Sequence, residues 1–161
     1  MKKIYNPFVA HKGEEYNCFG CSPNNNLGLQ LEFIDTGEEL VTNWSPKDWL
    51  VGYNKILHGG IQATLMDEIA GWVVLTKCKT AGVTTEMSVK YLKPVYIVRG
   101  ELKIKSRLIS LDEGIAIIAC ELFDGEGVCC ATANVKYFCY PERIARRKLH
   151  YPGVEAFYKE T

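Results

Sequence analysis

The stretch from His58 to Cys78, HGGIQATLMDEIAGWVVLTKC, decides how the rest of the chain is read. It opens on a His-Gly-Gly turn and continues as a mostly apolar run, interrupted in its middle only by Asp67 and Glu68. A helix that is apolar nearly all round is normally buried. A buried carboxylate is costly unless it is paired or has a chemical task. At about 3.6 residues per turn, Gly60, Ala63, Thr64, Asp67, Ala70, Gly71 and Val74 fall on one side of this helix. Ile61, Leu65, Glu68, Ile69, Trp72 and Leu75 fall on the other. The bulky side reads as core, with Glu68 near its edge, where it reaches water or a partner. Asp67 sits among small residues, which let a backbone, a ligand or another subunit come close.

The Gly59-Gly60 pair has physics of its own. N–H groups at a helix start lack helical acceptors and carry partial positive charge. Glycines let a ligand approach them, and such a turn can hold a carbonyl oxygen that becomes negative during reaction. On the residues of the helix alone a plainer alternative stays open: a tight turn, and a salt-bridged structural Asp67.

The 161 residues suffice for one domain, 1–161, with a sizeable core. Apolar content of 47% and charged content of 24% are those of a soluble globular protein. A formal net charge of zero gives no sign of a nucleic-acid or membrane-surface partner. MKKIYNPFVAHKGEE has two lysines but no apolar run behind them, so it is not read as a signal peptide. The Ile69–Leu75 run is too short to span a bilayer. Seven cysteines form no even framework, and free thiols in a reducing cytoplasm are the expectation.

Around the helix the pattern is that of strands. Residues 1–26 read as irregular, with Pro7, Pro23 and Asn24-Asn25-Asn26 as breakers. Leu27, Leu29, Leu31 and Phe33 alternate with Gly28, Gln30 and Glu32, which predicts a half-buried strand. A second strand is expected over about 38–44, and Trp49 to Leu57 connects to the helix. Four more strands follow: Thr84–Tyr91, a run from Leu102 to Leu108, Ile115–Leu122, and Val128–Tyr140. Ile115–Leu122 is nearly all apolar and is expected to be buried on both faces. The tail 141–161 has room for a short helix. Two strands, one long helix and four strands in short succession predict an α+β domain: an antiparallel sheet of about six strands around one helix. One helix cannot cover both faces, so a second copy is expected to bury an edge or face.

Within the first segment lies Cys18-Phe19-Gly20-Cys21. A lone CxxC is either redox-active or half of a metal site. No second CxxC follows, His11 is the only further ligand near it, and Cys129 and Cys130 are expected to point to opposite faces of a strand. The expectation is therefore no metal, and buried thiols packing a loop.

The pattern resembles the hotdog fold, a curved antiparallel sheet wrapped around a central helix. HGGIQATLMDE resembles the signature of the acyl-CoA thioesterase family that includes the phenylacetate-degradation thioesterases. These have a His-Gly-Gly turn with an Asp seven residues after the second glycine. CFGCSPNNNLGLQLEF and EMSVKYLKPV are similar to that family's opening and third strand, and the likeness covers roughly residues 16–140. The resemblance implies thioester hydrolysis without a cofactor. Asp67 would be nucleophile or base, Gly59 with Gly60 beside it would donate N–H to the thioester carbonyl, and His58 would shape the turn or bond the carbonyl region. Thr84 stands where related enzymes have a Ser or Thr that orients the water or acid. Many members carry an Asn six residues before the His; here Gly52 stands there, with Asn54 and Lys55 nearer the turn. Asn54, Glu68, Lys90, Lys93 and Arg143 are candidate substrate contacts, the basic ones for the CoA phosphates.

Gly59 and Asp67 are eight residues apart in sequence, roughly 12 Å along a helix. A carbonyl held at Gly59 cannot react with Asp67 of the same chain. Chemistry therefore predicts a homodimer with sites between subunits, with pairing into a homotetramer open. Two other readings stand beside hydrolysis: a hydratase or dehydratase with His58 and Glu68 as acid and base, and a non-enzymatic acyl-CoA-binding module.

Overall fold

The expected central helix, α2, spans Gly59–Lys77. Its cap is the His58 ring, whose Nδ1 accepts the Gly60 N–H at 2.9 Å. This is the role Ser, Thr, Asp or Asn usually fills. The structure is a computed structural model and describes residues 1–12 and 15–159, with residues 11 and 12 described by backbone alone, so the His11 side chain lies outside it. Leu65, Met66, Ile69, Trp72 and Val73 of α2 are almost fully buried. The sequence wheel is right for Gly60, Ala63, Thr64, Asp67 and Gly71, which are exposed or half-buried. It is wrong for Ala70 and Val74, which are buried. Gln62, Met66 and Val73, on neither side of the wheel, also join the core.

Seven strands form one antiparallel sheet in the order β1-β2-β3-β5-β6-β7-β4. They are β1 (Lys2–Ile4), β2 (Phe33–Asp35), β3 (Leu40–Trp44), β4 (Gly82–Tyr91), β5 (Leu102–Asp112), β6 (Ile115–Phe123) and β7 (Cys129–Cys139). A short helix α1 (Phe8–Lys12) follows β1, and α3 (Glu142–Leu149) follows β7. A seventh strand exists because Lys2–Ile4, read as irregular, pairs with β2. The strand expected over Leu27–Phe33 is mostly absent: β2 begins only at Phe33. Gln30 adopts a left-handed φ of 53°, and Leu27 is 83% exposed. Leu29 and Leu31 are buried all the same, because their N–H groups bond Phe19 O and Gly20 O at 2.7 and 2.9 Å. The alternation reflects a loop stitched to the Cys18–Cys21 turn.

The last four strands lie where the sequence puts them, within a few residues. In β7, Ala131, Ala133, Val135 and Tyr137 face the core, and Asn134 faces out. β6 differs: its residues alternate between buried and half-buried rather than being buried on both faces. Together the curved sheet and the helix it wraps make the hotdog fold, and β4 is its outer edge, bonded to β7 on one side. Among the described residues no helix is long and apolar enough to cross a membrane.

Candidate active site

Asp67 projects from the middle of α2 toward the edge strand β4 and its neighbour β7. Thr84 on β4 donates its hydroxyl to Asp67 Oδ1 at 2.8 Å. Tyr137 on β7 donates to the same oxygen at 3.0 Å and lies 2.9 Å from the Asp67 carbonyl. Thr84 and Tyr137 are paired across the β4–β7 ladder, which is why their side chains converge. Gly71 makes room for them: a Cβ there would lie 3.1 Å from the Tyr137 hydroxyl. Burial, reinforced by the Asp67 charge, pushes the Tyr137 hydroxyl well above its ordinary range, so it stays a donor. With both hydroxyls on Oδ1, Oδ2 has no hydrogen-bond partner among the described residues. The group opens on a cavity of about 390 Å³.

The His-Gly-Gly turn lies at the other end of the chemistry. The His58 ring occupies the Gly60 N–H, while the Tyr91 hydroxyl donates to Gly59 O at 2.7 Å. A second cavity, of about 460 Å³, is lined here by His58, Gly59, Tyr53, Tyr91 and Lys93. Because α2 is continuous from Gly59 to Lys77, Gly59 and Asp67 remain roughly 12 Å apart along it. Of the other predicted contacts, Lys93 lines the turn cavity, whereas Asn54, Lys90 and Arg143 are exposed and line neither cavity. Gly52 fits beside the His58 ring, where a Cβ would stand 3.4 Å from Cδ2.

Glu68 turns from the Asp67 hydroxyl pair toward the N-terminal loop. It accepts the Trp72 indole N–H at 3.1 Å and the Cys18 thiol at 3.6 Å. Cys21 Sγ is 3.2 Å from Cys18 Sγ, and the Tyr16 hydroxyl is 2.8 Å from Cys21 Sγ. The Cys21 hydrogen bond lowers the Cys18 thiol to about 7, while Cys21, giving that bond and buried, is pushed up. Cys18, Cys21 and Glu68 line the same cavity as Asp67. Sequence reading missed Tyr137, Tyr91 and Tyr16; on a strand or loop a lone tyrosine reads as packing. It also missed the meeting of Glu68 with the CxxC, 50 residues upstream. All seven cysteines are free thiols. His58 and Glu68 are ten residues apart on one helix, roughly 15 Å, and are not brought together.

The thioesterase superfamily model matches residues 54–131, the span that holds the turn, α2 and strands β4, β5 and β6. Similar solved structures include the smu.793 protein of Streptococcus mutans bound to acetyl CoA, with 21% identity over 70% of this chain and 90% of that one, and a TM-score of 0.63. A hypothetical thioesterase of Streptococcus pneumoniae with coenzyme A has 24% identity, the same coverages and a TM-score of 0.63. The PaaI protein of the Escherichia coli phenylacetic acid degradation operon has 16% identity over 71% of this chain and 82% of its own, with a TM-score of 0.63. No curated protein matches the chain. The resemblance to the hotdog-fold thioesterase superfamily thus stands on both a sequence model and the fold.

Proposed function

We propose that the protein hydrolyses an acyl-CoA thioester to free acid and CoA. The observation that carries this reading is the Asp67 carboxylate, which lines the cavity and is fixed by two hydroxyls on one oxygen, its other oxygen without a hydrogen-bond partner among the described residues. The Gly59 N–H of a second subunit would hold the thioester carbonyl oxygen, the His58 ring having taken the Gly60 N–H. Oδ2 of Asp67 then works on the carbonyl carbon. It either takes a proton from a water that attacks, or attacks directly to give an anhydride that water cleaves. In both routes the C–S bond breaks as the oxyanion collapses, and CoA leaves as the thiolate and takes up a proton.

An intersubunit site requires a homodimer. β4 supports one: it is the sheet's edge, and Thr84, Thr85, Glu86, Ser88 and Lys90 on it are exposed in the single chain. Val83, Tyr91 and Phe138 add exposed apolar surface beside it. An edge of ten residues left bare is a hazard that a second copy removes. Two such dimers can pair again. Lys93 in the turn cavity is the cation best placed for a CoA phosphate, with Lys90 and Arg143 further out. The free thiols suit a reducing cytoplasm. The hydratase reading loses its support, because His58 is committed to the cap and Glu68 to Trp72 and Cys18.

The test is release of free thiol from a panel of acyl-CoAs by wild type and Asp67→Asn. Turnover of at least one acyl-CoA, lost in the variant, supports the reading. Saturable binding with no thiol released from any acyl-CoA would make it a binding module.

A further inference from the structure

We propose that Cys18, Cys21 and Glu68 form a three-ligand site for a zinc ion on the wall of the Asp67 cavity. The three ligand atoms all lie within 4.8 Å of one another. Tetrahedral zinc with ordinary bond lengths holds two sulfurs about 3.8 Å apart, and a sulfur and a carboxylate oxygen about 3.5 Å apart. The observed separations, 3.2 Å between the sulfurs and 3.6 Å from Cys18 Sγ to Glu68 Oε1, need only sub-ångström adjustment. Two soft thiolates and one carboxylate are a donor set zinc accepts, and all three residues face the cavity, which leaves the fourth position to water.

The surroundings are those of a held site. Asn6 Nδ2 donates to the Tyr16 oxygen at 3.2 Å, which leaves the Tyr16 hydrogen for Cys21 Sγ. Trp72 Nε1 fixes Glu68 Oε1. Such outer partners orient ligands and tune a metal. Gly20 is spatially required: a Cβ there would stand 2.3 Å from Glu68 Oε2. The loop is thus shaped to admit the carboxylate against the sulfurs. Among the described residues no Lys or Arg pairs with Glu68, so its half-buried charge lacks the cation that a divalent ion would supply. The bound ion would tie the N-terminal loop to α2 and stiffen one wall of the cavity. This revises the expectation from sequence, where the third ligand could not be seen.

The site is tested on the full-length chain, purified under reducing conditions and loaded with Zn²⁺ or with Co²⁺ as a spectroscopic probe. The expected result is one zinc per chain after dialysis. With Co²⁺, a thiolate-to-cobalt charge-transfer band should appear beside the visible absorption of a tetrahedral ion. Cys18→Ser and Cys21→Ser should each abolish the band. Glu68→Gln should weaken Co²⁺ binding at least tenfold, and Tyr16→Phe should weaken it by roughly tenfold with the stoichiometry kept. Should a serine variant not fold, the last two variants still decide. No stoichiometric metal on the reduced wild type overturns the site; so does Co²⁺ binding without charge transfer, or undiminished binding by Glu68→Gln. None of these readouts is catalytic, so failure of the metal site and failure of the thioesterase reading are told apart.

Discussion

Asp67 and Glu68 are neighbours in the chain, yet α2 turns them about 100° apart into two different chemistries. Asp67 meets oxygen donors, the Thr84 and Tyr137 hydroxyls, both on one of its oxygens. Glu68 meets an indole N–H and a thiol. Hydroxyl donors fix the orientation of a carboxylate while leaving its second oxygen bare, which suits a reaction with a substrate. Sulfur neighbours with no cation beside them suit a soft metal. The lesson is that adjacent acids on one helix are not interchangeable: the strands and loops packed against the helix assign each its task.

The sharpest way to break that division is to neutralise each acid alone. Asp67→Asn should lower thioester turnover at least roughly a hundredfold, as expected for losing a nucleophile or base. Circular dichroism and Tm should show the fold intact. Glu68→Gln should cost less than roughly tenfold. Steady-state kinetics with the opposite ranking would reverse the assignment.

A second test asks whether Asp67 and the Gly59 turn act across subunits. Gly59→Pro deletes the N–H and should be nearly inactive, as should Asp67→Asn. Mixing the two and letting subunits exchange should restore up to about half the wild-type activity per mixed dimer. One interface site then has both halves intact and the other has both defects. Exchange is verified by native mass spectrometry. No recovery after proven exchange would place the whole site within one chain, and an active monomer by light scattering would end the two-subunit argument.

Smaller effects should follow from the hydroxyls. Thr84→Ala and Tyr137→Phe each remove one donor to Asp67 Oδ1. A single such bond contributes about 0.5–1.5 kcal/mol net, so each variant should lose roughly three- to tenfold in kcat with KM little changed. Because both donors serve one oxygen, the double variant should not be additive. A cycle that is additive within error would mean the two hydroxyls do not share a task.

How much of this was legible in the sequence follows from how local each signal is. The helix, its start at Gly59 and the last four strands rest on periodicity within one segment, and they lie where the pattern puts them. The family resemblance singled out Thr84 and gave His58 a part in the turn, and the structure has Thr84 on Asp67 and the His58 ring capping the helix. What failed depended on pairing over distance. Leu29 and Leu31 alternate like a strand but bond to Phe19 and Gly20 in a loop. Tyr137 reaches Asp67 only because β7 lies beside β4, 70 residues downstream in the chain. Glu68 reaches the thiols only because the N-terminal segment folds back over α2. None of these contacts leaves a periodic trace.

The smallest effect lies where loop and helix meet. A methyl group at Gly20 would come within 2.3–2.5 Å of Oε2, Cδ and Cγ of Glu68. The backbone of Gly20 cannot retreat easily, since its carbonyl accepts the Leu31 N–H at 2.9 Å. The Glu68 side chain must therefore swing away and lose its bonds to Trp72 and Cys18. Overpacking of this kind costs about 1–3 kcal/mol, and Gly20→Ala should lower stability to urea by that amount. Turnover should fall less than about threefold, because Asp67 is held by Thr84 and Tyr137 and not by the loop. Truncating Glu68 removes the obstacle, so in a Glu68→Ala background the same Gly20→Ala change should cost less than about 0.5 kcal/mol. If the cost stays the same in both backgrounds, the strain lies in the loop itself, and Gly20 is there for its backbone rather than for the acid it admits.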